Sequence, residues 1–206
     1  MPQNLRIPLP RPAADTPLGH VIRTRRSVRQ FPDAPIMLAE LAQLLWAAQG
    51  VTDGEGKRAA PSAAAQYPLR LYVAAGNVSE LPQGLYVYEP QQHALAQVHS
   101  DDLRPALAEA VIGRQPWVQE AAVVIAIAAD VAAIEAHFAE QQPDGRRGVR
   151  YAYIEAGAAS ENVHLQAAAL DLGMVLVGGF DDAATDAALH PGTHEETIAL
   201  LCLGRK

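Results

Sequence analysis

The run Val123-Val124-Ile125-Ala126-Ile127-Ala128 has no polar side chain at any position. β-Branched residues set among alanines favour an extended strand, and the lack of apolar/polar alternation means that both of its faces are covered. A strand buried on both sides needs one layer above it and one below. The segment from about 149 to about 172 reads as the clearest helix, with Ile154, Ala158, Val163, Leu165, Ala169 and Leu172 on a broad apolar face and Gly173 as terminator. Its many alanines permit close helix approach.

The other elements fit around these two. Leu38, Leu41, Leu45 and Ala48 recur at helical spacing, with Leu44 beside them and Gly50 where a left-handed C-cap is wanted. Leu69 to Ala74 alternates as a half-buried strand does, and Leu85 to Tyr88 with Leu95 to Val98 reads as a hairpin. Ser100 and Asp101 are placed to cap a helix running to Ile112, with Pro105 in its first turn. Strands at Met174 to Val177 and Ile198 to Leu203 enclose a short helix, Asp182 to Leu189, which the pair Asp181-Asp182 starts. No G-x-G-x-x-G turn follows an early strand, so a doubly wound parallel sheet fits less well than a mixed, mainly antiparallel one. The expected fold is α+β: one domain over residues 18–206, behind an extended Pro-rich leader, residues 1–17.

Charge and composition exclude several classes. Acidic residues outnumber basic ones 23 to 16, a formal net charge of -7, which argues against a nucleic-acid surface. Cys202 is the only cysteine, so neither an intrachain disulfide nor a Cys-based metal site can form, and it reads as a small buried hydrophobe. His190 and His194 are separated by Pro191-Gly192, which forbids a shared helical face, and no metal site is expected. The chain starts without an apolar signal segment and has no stretch of the roughly 20 apolar residues that span a bilayer. A cytoplasmic protein with no membrane partner is the expectation.

Within this acidic chain, Arg25-Arg26-Ser27-Val28-Arg29 concentrates three guanidinium forks around a hydroxyl. That set of donors matches phosphate oxygens. A solvated helix end whose arginines meet carboxylates is the competing reading. Three further clusters stand out: Pro61-Ser62-Ala63-Ala64-Ala65-Gln66-Tyr67-Pro68, Gly178-Gly179-Phe180-Asp181 and Gly204-Arg205-Lys206. Small residues let a flat ligand approach the backbone, although each cluster alone also reads as an ordinary turn or tail. Arg205, just past a strand, could join a phosphate held by Arg25 and Ser27. No nucleophile elbow or acid/base pair is evident, so an enzyme with this sequence would borrow its chemistry from a cofactor.

In order, these clusters resemble the flavin-dependent nitroreductase superfamily, and its branch of SagB-type dehydrogenases and azoline oxidases in particular. Arg25-Arg26-Ser27-Val28-Arg29-Gln30-Phe31 matches its RRSxRxF opening, and Leu44-Leu45-Trp46-Ala47-Ala48-Gln49-Gly50 its LLWAAQG helix end. Pro61-Ser62-Ala63 with Tyr67-Pro68-Leu69 is similar to PSAGALYPLE, and Glu155-Ala156-Gly157 through Gly178-Gly179-Phe180-Asp181 to the EAG…GGFDD block.

The resemblance implies a mixed sheet flanked by helices and FMN at a homodimer interface, with NADH or NADPH as electron donor and ping-pong transfer through the flavin N5 to a small acceptor of quinone or nitroaromatic type. By position, Arg25, Arg26, Ser27, Arg29 and Arg205 would hold the phosphate and ribityl chain. Pro61, Ser62, Ala63 and Ala64 would line the ring edge, and Val177, Gly178 and Gly179 would face N5; no catalytic side chain is assigned. Two departures bear on substrate: Ala64 replaces the pattern's glycine and Gln66 its leucine-type residue. The Lys-Tyr pair of azoline oxidases has no counterpart in Glu140-Gln141-Gln142-Pro143-Asp144-Gly145, which weakens the alternative of an enzyme that oxidises peptide-derived azolines. A flavin-binding protein without turnover is the other alternative.

Overall fold

The apolar run is the middle of the sheet. In the computed structural model, which describes residues 16–141 and 146–206, six strands lie side by side: β5 (Ala94–His99), β4 (Gly84–Glu89), β2 (Leu69–Ala75), β6 (Val123–Ala129), β8 (Glu196–Arg205) and β7 (Leu172–Val177). Every neighbouring pair is antiparallel. Parallel pairing among the described residues is confined to β1 (Ile36–Met37) with β3 (Val78–Ser79) and to a bridge from Ser27 to Met174. The leader as far as residue 15, and residues 142–145 of the loop in which a Lys-Tyr pair was sought, lie outside the described residues.

All of β6 is buried, and its residues alternate between two cores. Val123, Ile125 and Ile127 join Leu41, Leu44 and Val163 beneath α2 (Leu38–Gln49), α5 (Val131–His137) and α6 (Arg147–Ala169). Val124, Ala126 and Ala128 join Leu107, Val118 and Leu189 beneath α3 (Arg104–Ala110), α4 (Trp117–Glu120) and α7 (Asp182–Leu189). Burying a side chain of the size of Ile125 contributes roughly 1.5–3 kcal/mol. Cys202 sits in the second core, where burial pushes its thiol up to about 12. The hairpin and the helix begun by Asp181 form as the sequence indicates; Asp181 accepts from Ala184 N at 2.8 Å.

Several local expectations give way to packing. Gly50 caps α2 with an extended backbone (φ -64, ψ 146), not a left-handed one. β2 is buried on both faces apart from Arg70, because α2 and α6 cover one side and α3 approaches the other. α3 starts at Arg104, where Asp102 rather than Ser100 or Asp101 supplies the acceptor for the Arg104 N–H at 3.1 Å.

The largest correction concerns α6. Of its expected apolar face only Val163 is buried within the helix; Ile154 is 61% exposed. Size decides the face: Gly148, Ala152, Ala156, Ala159 and Ala167 go inward because neighbouring elements approach closely, and a Cβ on Gly148 would collide with the Ile134 carbonyl of α5.

Gly173 is not a helix terminator. It lies in β7 directly opposite Gly204 of β8, and Val28 and Phe31 lie across the pair. A Cβ at Gly173 would come within 2.8 Å of Val28, and one at Gly204 within 3.0 Å of Phe31. The two glycines make the shallow floor on which the arginine-rich segment rests.

Candidate functional site

α1 (Pro17–Thr24) starts with Pro17 in its first turn, and the Thr16 hydroxyl accepts from Gly19 N at 3.0 Å. The backbone turns extended at Arg25, and the chain then follows the outer edge of β7, where Val28 N donates to Met174 O at 2.9 Å. This edge pairing fixes the direction of the whole Arg25–Arg29 segment.

Its side chains diverge. Arg25 is turned toward α6, its Nη1 3.3 and 3.4 Å from the His164 ring nitrogens and its Nε 3.5 Å from Glu161. His164 in turn sits 3.2 Å from the Arg26 carbonyl through Nε2. Burial, with the Arg25 charge adding to it, holds the His164 pKa below its ordinary value. A neutral ring that donates from Nε2 to Arg26 leaves Nδ1 as an acceptor toward Arg25. Arg26 is exposed and folds back onto the Arg23 and Arg25 carbonyls at 2.9 and 2.6 Å. Ser27 is exposed at the bridge, and the Arg29 guanidinium lies 5.7 Å over the Trp117 ring.

Arg205 does not join them. Its fork closes on Glu40 at 2.8 and 2.7 Å, and its Nε donates to Pro35 O at 3.0 Å. Glu40 also accepts from Met37 N at 2.7 Å, so the pair fastens the end of β8 to the start of α2.

The second segment is built on backbone strain. Ala64, Ala65 and Tyr67 have φ of 50, 52 and 49, three left-handed non-glycine residues within four positions. Each costs on the order of 1–3 kcal/mol and persists only where the surroundings impose it. Those surroundings are specific: Tyr67 N donates to Ser62 Oγ at 2.7 Å, and Ala63 N donates to Glu155 Oε1 at 2.8 Å. Glu155 is buried on α6, and burial raises its pKa despite the opposing pull of the Ala63 N–H and the Ser62 hydroxyl. The left-handed φ at Ala64 accounts for glycine in the motif this loop resembles.

The third segment leaves β7 at Val177. Ile112 N donates to Gly179 O at 2.8 Å, Asp181 N to Ala110 O at 2.8 Å, and Val111 bridges Phe180. Gly178 and Gly179 are not held by crowding: an added Cβ would meet nothing nearer than 3.9 and 4.0 Å, and neither has a positive φ. Nothing in this chain's own packing requires glycine there, so the open backbone is available to something outside it.

Two relations follow. Met174, which carries the arginine segment, and Gly178 are four residues apart along and just beyond one strand, about 13 Å at the usual rise. Ala63 packs against the core under α2 and α6, whereas Phe180 and Val111 belong to the core on the opposite face of the sheet. The Ser62 loop and the Gly178 turn of one chain therefore do not face each other. Among the described residues, no three His, Cys, Asp or Glu side chains are grouped as a metal site, and no helix is long and apolar enough to cross a membrane.

Comparison with known proteins decides the family. Residues 22–205 match the nitroreductase family, and a protein of Methanocaldococcus jannaschii named as a nitroreductase is 36% identical over 189 residues, 92% of this chain and 91% of its own. The chain belongs to the nitroreductase family. A solved structure assigned as a nitroreductase from Ralstonia eutropha aligns with a TM-score of 0.76 at 30% identity, over 97% of this chain and 87% of that one. Another, from Anabaena variabilis, aligns with a TM-score of 0.77 at 27% identity over 91% of this chain, which spans only 38% of that protein's length. The E. coli microcin synthetase McbBCD complex with truncated pro-MccB17 shares the fold at 17% identity, with a TM-score of 0.71.

Sequence reasoning on this nitroreductase-family chain singled out the arginines, the small-residue loop and the double glycine as candidates. It missed the anchors. Glu155 entered only as part of a motif and His164 not at all. The available signal was two ionisable residues inside a helix whose buried positions are otherwise glycine, alanine, serine and valine.

Proposed function

We propose that this nitroreductase-family chain is an FMN-dependent oxidoreductase that works as a homodimer. The observation that carries the reading is the placing of the three segments. Arg25–Arg29 and Gly178–Gly179 share β7 at a spacing of about 13 Å, which suits a ligand with a phosphate at one end and a flat ring at the other. The Ser62 loop packs on the face of the sheet opposite the Gly178 turn, so a second copy would supply it to the ring.

The residues fit such a ligand. Arg25, held by His164 and Glu161, keeps 29% of its side chain exposed, while Arg26, Ser27 and Arg29 are exposed beside it. These four would hold the phosphate and ribityl chain by charge-assisted hydrogen bonds. Arg205, spent on Glu40, we assign to the fold. At Gly178 and Gly179 the open backbone would admit a ring, while Val177 keeps its side chain in the second core and could offer only its backbone. Glu155 fixes the Ala63 N–H, and with it the left-handed path that presents Pro61, Ser62, Ala63 and Ala64 to the partner's ring. The flavin, when bound, supplies a redox centre that takes reducing equivalents from NADH or NADPH and passes them to a small quinone or nitroaromatic acceptor. A dimer is supported by apolar side chains left outward on α1, α2 and α6: Leu18, Ile22, Trp46, Tyr153 and Ile154.

The test is an anaerobic titration of the FMN-loaded protein with NADH and then NADPH. Bleaching of the flavin bands, and their return on adding a quinone, is the expected result. Bands that neither nicotinamide bleaches would contradict the oxidoreductase reading.

A further inference from the structure

A second site opens where the sheet splits. The ladder between β2 and β4 stops at Tyr72–Val87, although β2 reaches back to Leu69 and β4 runs on to Glu89. Beyond that point Leu69, Arg70 and Leu71 stay paired with β6, and Tyr88 and Glu89 with β5. The two strands thus part, each still held on its far side, and a cleft of about 570 Å³ lies between them.

One cation in this cleft is uncommitted. Arg70 is spent on Glu195 at 2.8 Å, whose other oxygen accepts from Tyr72 OH at 2.5 Å. Arg58 lies with its guanidinium carbon 4.7 Å from the Tyr67 ring centroid, and donates from Nη1 only to the neutral Gln49 Oε1 at 2.9 Å. Its Nε is buried with no hydrogen-bond partner, and no carboxylate pairs with it among the described residues. Glu89, also on the cleft wall, is not in an ion pair with it. A half-buried guanidinium on a cleft wall whose charge no carboxylate matches is a donor for an anionic acceptor.

We propose that this cleft binds a small carboxylic acid with an apolar or aromatic body. Its carboxylate would take the Arg58 fork, and its body would lie among Leu69, Val87, Tyr88 and Val98. The flavin reading is not needed for this site. The cleft does adjoin the strained loop, because Arg58 N donates to Tyr67 OH at 3.2 Å and Tyr67 N to Ser62 Oγ. An acid bound on Arg58 therefore bears on the residue that closes that loop.

The experiment is an NMR titration of the ¹⁵N-labelled full chain, FMN added, with benzoate and hexanoate, and with benzamide as the neutral counterpart of benzoate. Both acids should move the amide signals of Arg58, Leu71 and Tyr88 and leave those of Gly178 and Gly179 in place, with benzamide much weaker. Arg58→Gln should weaken benzoate by about ten- to hundredfold. Equal response to benzamide, shifts centred on Gly178 and Gly179, unchanged affinity in Arg58→Gln, or no response to either acid would each overturn the proposal. Should Arg58→Gln fail to fold, the acid-against-amide contrast and the map of shifted signals still decide.

Discussion

The arginine segment and the Ser62 loop are both tied to α6, but by opposite chemistry. The first brings its own charge and is oriented by a buried histidine, His164, which burial and Arg25 keep neutral. The second brings no charge, only a backbone bent through three left-handed residues, and is pinned by a buried acid, Glu155. On the proposed reading, binding by side chains asks α6 only to steer one of them, whereas binding by backbone asks it to hold a strained path. The difference teaches where substitutions will be felt: in ligand binding for the arginine segment and in folding for the loop.

If the division is right, Arg25→Ala should cost flavin affinity about 1.5–3 kcal/mol, the usual worth of a hydrogen bond to a charged group, with little change in unfolding free energy. Fluorescence titration with FMN and a urea melt on the same variant separate the two. Glu155→Ala should show the reverse, losing about 1–3 kcal/mol of stability as the half-buried Ala63 N–H is left unmet. Glu155→Gln keeps the acceptor and should fall between wild type and that value in the same melt.

Ala64→Gly should stabilise by less than about 1 kcal/mol, since relief of the left-handed φ is partly offset by glycine's greater unfolded-state freedom. A destabilised variant would show that the loop is not strained at Ala64.

The smallest effect is on pH dependence. His164 is depressed from 6.5, so below that value the unfolded chain binds the extra proton and stability falls with pH, through to the depressed value. Glu155 is raised from 4.5, so the folded chain takes its proton first and stability recovers as pH falls from the raised value to 4.5. Melts from pH 8 to about 4 should show His164→Gln removing the first slope and Glu155→Gln the second.

How much of this could be read from the sequence depended on whether the residue's own chemistry or its neighbours' decided the matter. The run from Val123 to Ala128 is buried on both faces because nothing in it can face water, and that was legible. The face of α6 was not, because close approach by α2 and α5 selects small residues over hydrophobic ones and turns Ile154 outward. Arg25, Ser27 and Gly179 stand out as residue types, so the sequence alone marks them as candidates. Arg205 stands out equally, yet Glu40, 165 residues away in sequence, claims it. No local pattern announces that pair, nor the opposite-face placing of the Ser62 loop and the Gly178 turn.

The central claim is a flavin site assembled on β7 from Arg25–Arg29 and Gly178–Gly179. Its most direct test is the visible absorption spectrum of the protein after FMN addition and desalting, wild type beside Gly179→Val. The account predicts flavin bands near one per chain for wild type and their loss in the variant with little change in melting temperature, since a Cβ there meets no protein atom nearer than 4.0 Å. A colourless wild type, or a variant that retains full flavin, would contradict it.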